Sequence, residues 1–218
     1  MIKYRQALRA TSVLWHSPFD FVSLNLMADA IALSWPVQAA YRKLLAERPV
    51  DELERLRALT KRPVDMRALE LLPENTLGRR FVQFFDTRHN VKWGGHWMAV
   101  PQLLETFERD WVTHRLYKLH DVLHVVCDFD TDVAGEMGQQ MFDSRNLREP
   151  YGYFVVAATP IVVLRYGHPI RTVREIIRGY RIGSKASNLF FAPFEEMWEL
   201  DIDEVRARVG LIDRPSKN

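Results

Sequence analysis

The stretch Leu119–Glu136, LHDVLHVVCDFDTDVAGE, decides how the rest of the chain is read. His120 and His124 stand four apart, which on a helix puts both imidazoles on one face, one turn from each other, where they can share a cation. Asp121 follows about 100° further round the helix. Val122, Leu123, Val125 and Val126 surround these polar groups with apolar side chains. Polar groups in such a setting cost free energy unless something satisfies them. Glu136 comes twelve residues after His124, about 18 Å along a straight helix, so it joins the histidines only if the chain turns between them. Asp128, Asp130, Thr131 and Asp132 supply that turn, being poor helix formers and good caps. The pattern predicts a helix, a short turn, and a second helix capped by Asp132 that carries Glu136 near its start. Two imidazoles and a carboxylate then form a metal site, with Asp121 as fourth ligand, orienting partner or proton carrier. The alternative is a capped helix pair whose histidines make ordinary core hydrogen bonds.

Composition narrows the class. The chain has 218 residues, 47% of them hydrophobic, which suits one domain with a large core. Its 30 basic and 28 acidic residues give a formal charge of +2, against a nucleic-acid binder. The single cysteine, Cys127, excludes an internal disulfide, fits a reducing compartment and reads as a small core residue. No secretory signal is visible. The first nineteen residues lack Asp and Glu and hold Lys3, Arg5 and Arg9, a composition shared by transit peptides, but an amphipathic first helix is the reading taken. No apolar run is long enough to span a bilayer; the best, Tyr153 to Leu164, is short and interrupted by Pro160.

Along the chain nearly every segment reads as helix. Pro18 ends the first, and Pro36 is expected to kink or split the apolar stretch from Phe19 to Ala46. Helices are expected over Asp51–Leu59 and Val64–Leu72. Glu74, Asn75 and Thr76 offer a cap before a helix through Leu77, Phe81, Phe84 and Phe85, in which Gly78 suggests close approach of another backbone. Thr87 to Ala99 reads as a loop with aromatic anchors, and Pro101 starts a helix through Val112. Pro150 opens the apolar segment and Pro169 the next helix. There Arg171, Arg174, Arg178 and Arg181 form one stripe, and Val173, Ile176, Ile177 and Tyr180 another about 130° away. The arginines read either as a contact for an anionic membrane surface or lipid phosphate, or as a solvated face. Gly183 to Asn188 is a loop, and Pro193 starts a last helix carrying Glu195, Trp198 and Glu199. No strand alternation, repeat or linker is found. The fold class is all-α: a single-domain helical bundle over residues 1–218, with a kinked helix pair carrying the metal site.

These residues resemble a known family. His-Asp-x-x-His followed by eleven residues and a glutamate, here His120, Asp121, His124 and Glu136, is similar to the signature of the coenzyme Q (ubiquinone) biosynthesis protein 4 family. L-P-E-N-T-L-G-R-R-F-V-Q-F resembles its P-E-G-T-L-G segment, the apolar run near Pro160 its helix after the motif, and F-E-E-M-W-E with R-A-R-V-G-L-I its C-terminal element. The resemblance is strongest over residues 72–212. The chain departs from it in D-F-D-T-D before the glutamate, where the family often has a Pro-Thr-Asn-like turn, and in Phe194, where it has tyrosine. The arginine stripe rests on spacing alone and not on the resemblance.

The resemblance implies an all-α fold, a divalent metal (zinc), a hydrophobic channel for a polyprenyl tail, and peripheral attachment to the inner face of a membrane. In a eukaryote that face is the matrix side of the mitochondrial inner membrane; otherwise the location is cytoplasmic. It implies ubiquinone biosynthesis by removal of the C1 carboxylate from a polyprenylated 4-hydroxybenzoate, with hydroxylation of that carbon as an option. The enzyme class is then a carbon–carbon lyase. The expected partners are the polyprenylated aromatic substrate and other ubiquinone-synthesis enzymes, with a homodimer as one option. The competing reading is a non-catalytic lipid-binding scaffold that organises such enzymes around a structural metal. A zinc peptidase ranks below both: the aspartate of H-D-x-x-H reaches less far than the glutamate of H-E-x-x-H, and no strand is present to align a peptide. A His–Asp phosphohydrolase would want its ligands further apart. His16, His89, His96, His114 and His168 fall in no motif.

Overall fold

The computed structural model describes residues 34–89, 96–97, 111–157, 160 and 168–211. The expectations for the N-terminal helix, for the apolar stretch before residue 34, for most of the Thr87–Ala99 loop, for the helix opening at Pro101 and for much of the apolar run after Ala157 lie outside these residues. The described helices are α1 (Trp35–Leu45), α2 (Val50–Lys61), α3 (Met66–Glu70), α4 (Leu77–His89), α5 (Trp111–Cys127), α6 (Val133–Asn146), α7 (Pro150–Ala157), α8 (Pro169–Lys185) and α9 (Ile202–Arg208). The architecture is all-α. The one strand pairing among the described residues is two residues long, with Val64–Asp65 (β1) antiparallel to His96–Trp97 (β2).

Local chemistry explains most of the boundaries. Pro36 falls in the first turn of α1, where its missing N–H costs nothing, so among the described residues it opens a helix rather than splitting one. Asp65 accepts from the amides of Arg67 and Ala68 and caps the short α3. Thr76 Oγ1 accepts from Arg79 N at the start of α4. Asp132 accepts from Gly135 N and caps α6, with Glu136 in its first turn.

Helix α5 runs through the centre. Leu116, Leu119, Leu123 and Val126 are buried with Leu77, Phe81 and Phe85 of α4 and with Phe190 and Phe194 of the C-terminal segment. Its C-terminal carbonyls are met by two arginines from remote elements. Arg206 of α9 donates to Val126 O (2.7 Å) and Val125 O (3.2 Å), and Arg178 of α8 to Cys127 O and Asp128 O. Asp128 then turns the chain with φ near 58°, a left-handed conformation that Asp tolerates.

Helices α6 and α8 lie backbone to backbone. A Cβ at Gly179 would come within 2.1 Å of Gly138 O, so only glycine permits this approach. The buried residues of α8 are accordingly small: Thr172, Gly179 and Gly183. Its larger apolar residues Ile170, Val173, Ile177 and Tyr180 are exposed.

The end of the chain departs from expectation. No continuous helix starts at Pro193. Two 3-10 turns (Leu189–Phe191 and Phe194–Glu196) precede α9, which starts only at Ile202, so Trp198 and Glu199 lie in a turn. The reason is that Leu200 O accepts from Leu77 N and Trp198 O from Gly78 N, both at 2.9 Å. These carbonyls cap the N-terminus of α4, and a helix would have consumed them internally. This is also the backbone contact that Gly78 makes. Helix α8 in turn runs three residues, Gly183 to Lys185, into the expected Gly183–Asn188 loop.

Candidate metal centre

The turn after α5 brings the start of α6 back against its histidines. The three ligand-type atoms of His120, His124 and Glu136 lie within 4.8 Å of one another. Nε2 of His120 and Nε2 of His124 are 3.3 Å apart, and Glu136 Oε2 lies 3.6 Å from the first and 3.5 Å from the second. Such separations are long for hydrogen bonds. They match the roughly 3.3 Å expected between donors around a tetrahedral zinc bound at about 2.0–2.1 Å. The donor set therefore fits the divalent cation that the spacing suggested.

Both rings are held so that Nε2 faces this centre. His124 Nδ1 is 3.2 Å from Phe129 O, a carbonyl, so this nitrogen carries the proton. His120 Nδ1 is 2.8 Å from Asp143 Oδ2, and Gln139 Nε2 donates to the other oxygen of Asp143 at 2.6 Å. Outer partners of this kind select the tautomer of a ligating histidine and raise its basicity. Phe84 of α4 stacks on His124, with ring centroids 5.3 Å apart.

Charge organises the group as well. Burial works against a proton on His120, but the hydrogen bonds and charges of Asp143 and Glu136 outweigh it and raise the imidazole well above its ordinary value. Burial likewise works against charge on Glu136, and the two histidines override it, holding the carboxyl well below the usual range. The centre is built to hold positive charge. Close by, burial and the charge of Asp143 push the Glu149 carboxyl up to about 8, so it is largely neutral near pH 7.

The other expected site residues fall elsewhere. Asp121 does not join the convergent trio; it is half-buried and engaged with other groups. The orienting role assigned to it belongs to Asp143, because a residue next to a ligand along a helix points about 100° away. Asp143 follows Glu136 by seven residues, two turns on the same face, and that spacing was the signal that could have found it. The arginine stripe divides. Arg171 pairs with Asp130 (2.7 Å) and Asp132, and Arg178 lies over the Phe129 ring (4.4 Å) while binding carbonyls of the turn. Both clamp the motif turn, while Arg174 and Arg181 stay exposed beside the apolar face of α8.

A family model described as coenzyme Q (ubiquinone) biosynthesis protein Coq4 matches residues 27–215. A mitochondrial ubiquinone biosynthesis protein COQ4 homolog 1 of Culex quinquefasciatus is 27% identical over 185 residues, covering 84% of this chain and 62% of the relative. The mitochondrial ubiquinone biosynthesis protein coq4 of Schizosaccharomyces pombe is 24% identical over 194 residues, 88% of this chain and 70% of that one. The chain thus spans less than two thirds of the length of the mosquito relative. A crystal structure of a Nostoc punctiforme protein, named for ubiquinone biosynthesis, shares the fold with a TM-score of 0.72 at 24% identity, over 96% of this chain and 99% of that one.

Proposed function

This chain belongs to the coenzyme Q (ubiquinone) biosynthesis protein Coq4 family, and we propose that it acts in ubiquinone synthesis as a metal-dependent C1 decarboxylase of a polyprenylated 4-hydroxybenzoate. The observation that carries the reading is the convergence of two Nε2 atoms and one carboxylate oxygen at separations suited to zinc. His120, His124 and Glu136 would hold the ion. Once bound, a divalent cation supplies Lewis acidity at a carboxylate or phenol oxygen.

The chain's own residues do the rest. Asp143 and the Phe129 carbonyl keep the imidazoles aimed, so little reorganisation is needed when charge develops. Phe84 and the apolar residues packed on α5 keep water from the buried side of the centre. Glu136, held ionised, balances the cation's charge.

The membrane part of the reading rests on α8. Ile170, Val173, Ile177 and Tyr180 form an exposed apolar face with Arg174 and Arg181 at its edge. That pattern suits peripheral attachment to an anionic bilayer, which is where a long isoprenoid tail resides. No helix among the described residues is long and apolar enough to cross a membrane.

One experiment tests both parts. Zinc-loaded protein is mixed with anionic vesicles carrying a prenylated 4-hydroxybenzoate, with and without oxygen. The vesicles are sedimented and their phenols analysed. Co-sedimentation with appearance of the decarboxylated phenol is the expected result. Co-sedimentation with zinc retained and no turnover would replace the enzyme with a lipid-binding scaffold.

A further inference from the structure

Beside the centre, helix α6 carries buried oxygens that the protein leaves without hydrogen bonds: Gln139 Oε1, Gln140 Oε1 and Ser144 Oγ. A buried acceptor without a donor is costly, and native proteins keep few of them. Ser144 is explained locally. A Cβ on Gly152 of α7 would come within 2.3 Å of its Oγ, so the α7 backbone closes over it and no ligand is assigned to it.

The two glutamines differ from it. They follow Glu136 by three and four residues, one turn on, and flank the row made by Glu136 and Asp143. Gln139 is fully buried, and its amide nitrogen is committed to Asp143, which leaves its oxygen as the unpaired end of the amide. Gln140 lies on the α7 side, where Gly152 passes against its backbone carbonyl. Glu149, in the turn between α6 and α7, is near enough for Asp143 and His120 to act on its charge. A neutral carboxyl there can accept a proton donor without repelling Asp143.

We propose that Gln140 Oε1, with Gln139 Oε1 and the Glu149 carboxyl, forms a hydrogen-bonding subsite that recognises a hydroxyl donor on an aromatic ligand held at the centre. This rests on the phenolic substrate class proposed above and adds how the phenol O–H is distinguished. The chemistry favours a neutral donor. The subsite offers acceptors, so the ring oxygen it takes must carry a proton; a phenolate oxygen there would meet the charge of Asp143 with no hydrogen to share. A site whose buried acceptors await a hydroxyl discriminates against an analogue lacking it, because the acceptors then remain unpaired.

The test measures binding to the zinc-loaded full chain of two ligands, a singly prenylated 4-hydroxybenzoate and its 4-methyl ether. The native protein should favour the hydroxyl ligand by about tenfold or more. Gln140→Met, close in volume but without the acceptor, should bring the two within about twofold by weakening the hydroxyl ligand alone. Glu149→Met is read in the same way, so the outcome does not hang on one variant folding. Equal affinities in the native protein would overturn the subsite and leave the proposed function standing. A preference that survives in both variants would also overturn it, since exclusion by methyl bulk alone would persist without the acceptors. If the native protein binds neither ligand, the substrate class falls and the subsite with it.

Discussion

Helix α5 carries two buried polar clusters on opposite faces, and they are built to different ends. On one face Arg115, without exposure to solvent, donates to Phe190 O (2.6 Å), Ala192 O (2.7 Å), Thr60 Oγ1 (2.9 Å) and Glu195 Oε1 (3.2 Å). Lys118 reaches Arg62 O (3.0 Å), Thr60 O (3.2 Å) and Glu195 (3.4 Å). Donors face acceptors throughout, and the one loose end is Glu195 Oε2. This cluster ties the end of α2 and the 3-10 turns to the central helix. On the other face the two Nε2 atoms of His120 and His124 and a carboxylate oxygen of Glu136 converge, while Asp143, Gln139 and the Phe129 carbonyl complete only their outer sides. Burial alone therefore does not mark a functional site. The donor–acceptor balance does: one cluster is closed, and the other asks for a cation.

Breaking the closed cluster should have the largest effect on folding. Arg115→Met strands buried carbonyls and leaves Glu195 with Lys118 alone, an expected loss of about 3–5 kcal/mol. Denaturant titration would measure it, and the fraction that stays folded should still bind zinc. Loss of zinc without loss of stability would mean the two faces are not separate in role.

The open cluster should respond in affinity rather than fold. Glu136→Gln should lower zinc affinity by well over 100-fold, and Asp143→Asn by about 10–100-fold, as is usual for an outer partner of a ligating histidine. Helical circular dichroism should be unchanged in both. Competition with a chromogenic chelator would rank them, and an Asp143→Asn protein with native affinity would remove Asp143 from the centre.

The smallest effect is one of pH. The folded His120 value lies above the ordinary 6.5. The stability it confers on zinc-free protein is thus fully present below about 6.5 and lost as pH rises through the folded value. The Glu136 carboxyl is depressed, so its contribution is present above about 4.5 and lost only as pH falls through its folded value. Between pH 6 and 9 zinc-free protein should lose a few degrees of Tm, at about 2–4 °C per kcal/mol. Zinc-loaded protein should move the other way, because the metal competes with the proton. Parallel slopes with and without zinc would place the ion elsewhere.

Local chemistry accounts for what the chain itself made legible. The histidines four apart, the run of Asp and Thr that turns the chain, the Asp132 cap and the placing of Glu136 all depend on residues within a turn or two of each other. The helical class follows from the same short-range periods. What was missed depends on distance. Asp121 adjoins His120 in the chain, yet helical rotation turns it aside, and Asp143 reaches His120 only because two helices fold together. The four arginines share a period but not a fate, since Arg171 and Arg178 meet the motif turn and Arg174 and Arg181 do not.

By itself, then, the sequence determined most of the helices, the turn and the meeting of His120, His124 and Glu136, because i to i+4 spacing and capping act through the backbone nearby. Only the tertiary structure decided which face of α8 is buried, which carboxylate orients His120, and why Trp198 and Leu200 lie outside a helix. Each of those outcomes depends on a group supplied by a distant segment: a glycine backbone on α6, an aspartate two turns beyond Glu136, and the unpaired amides at the start of α4. A spacing such as that of Glu136 and Asp143 can put a group on the right face, but which partner it meets is decided by hydrogen-bond and packing complementarity that exists only once the segments come together.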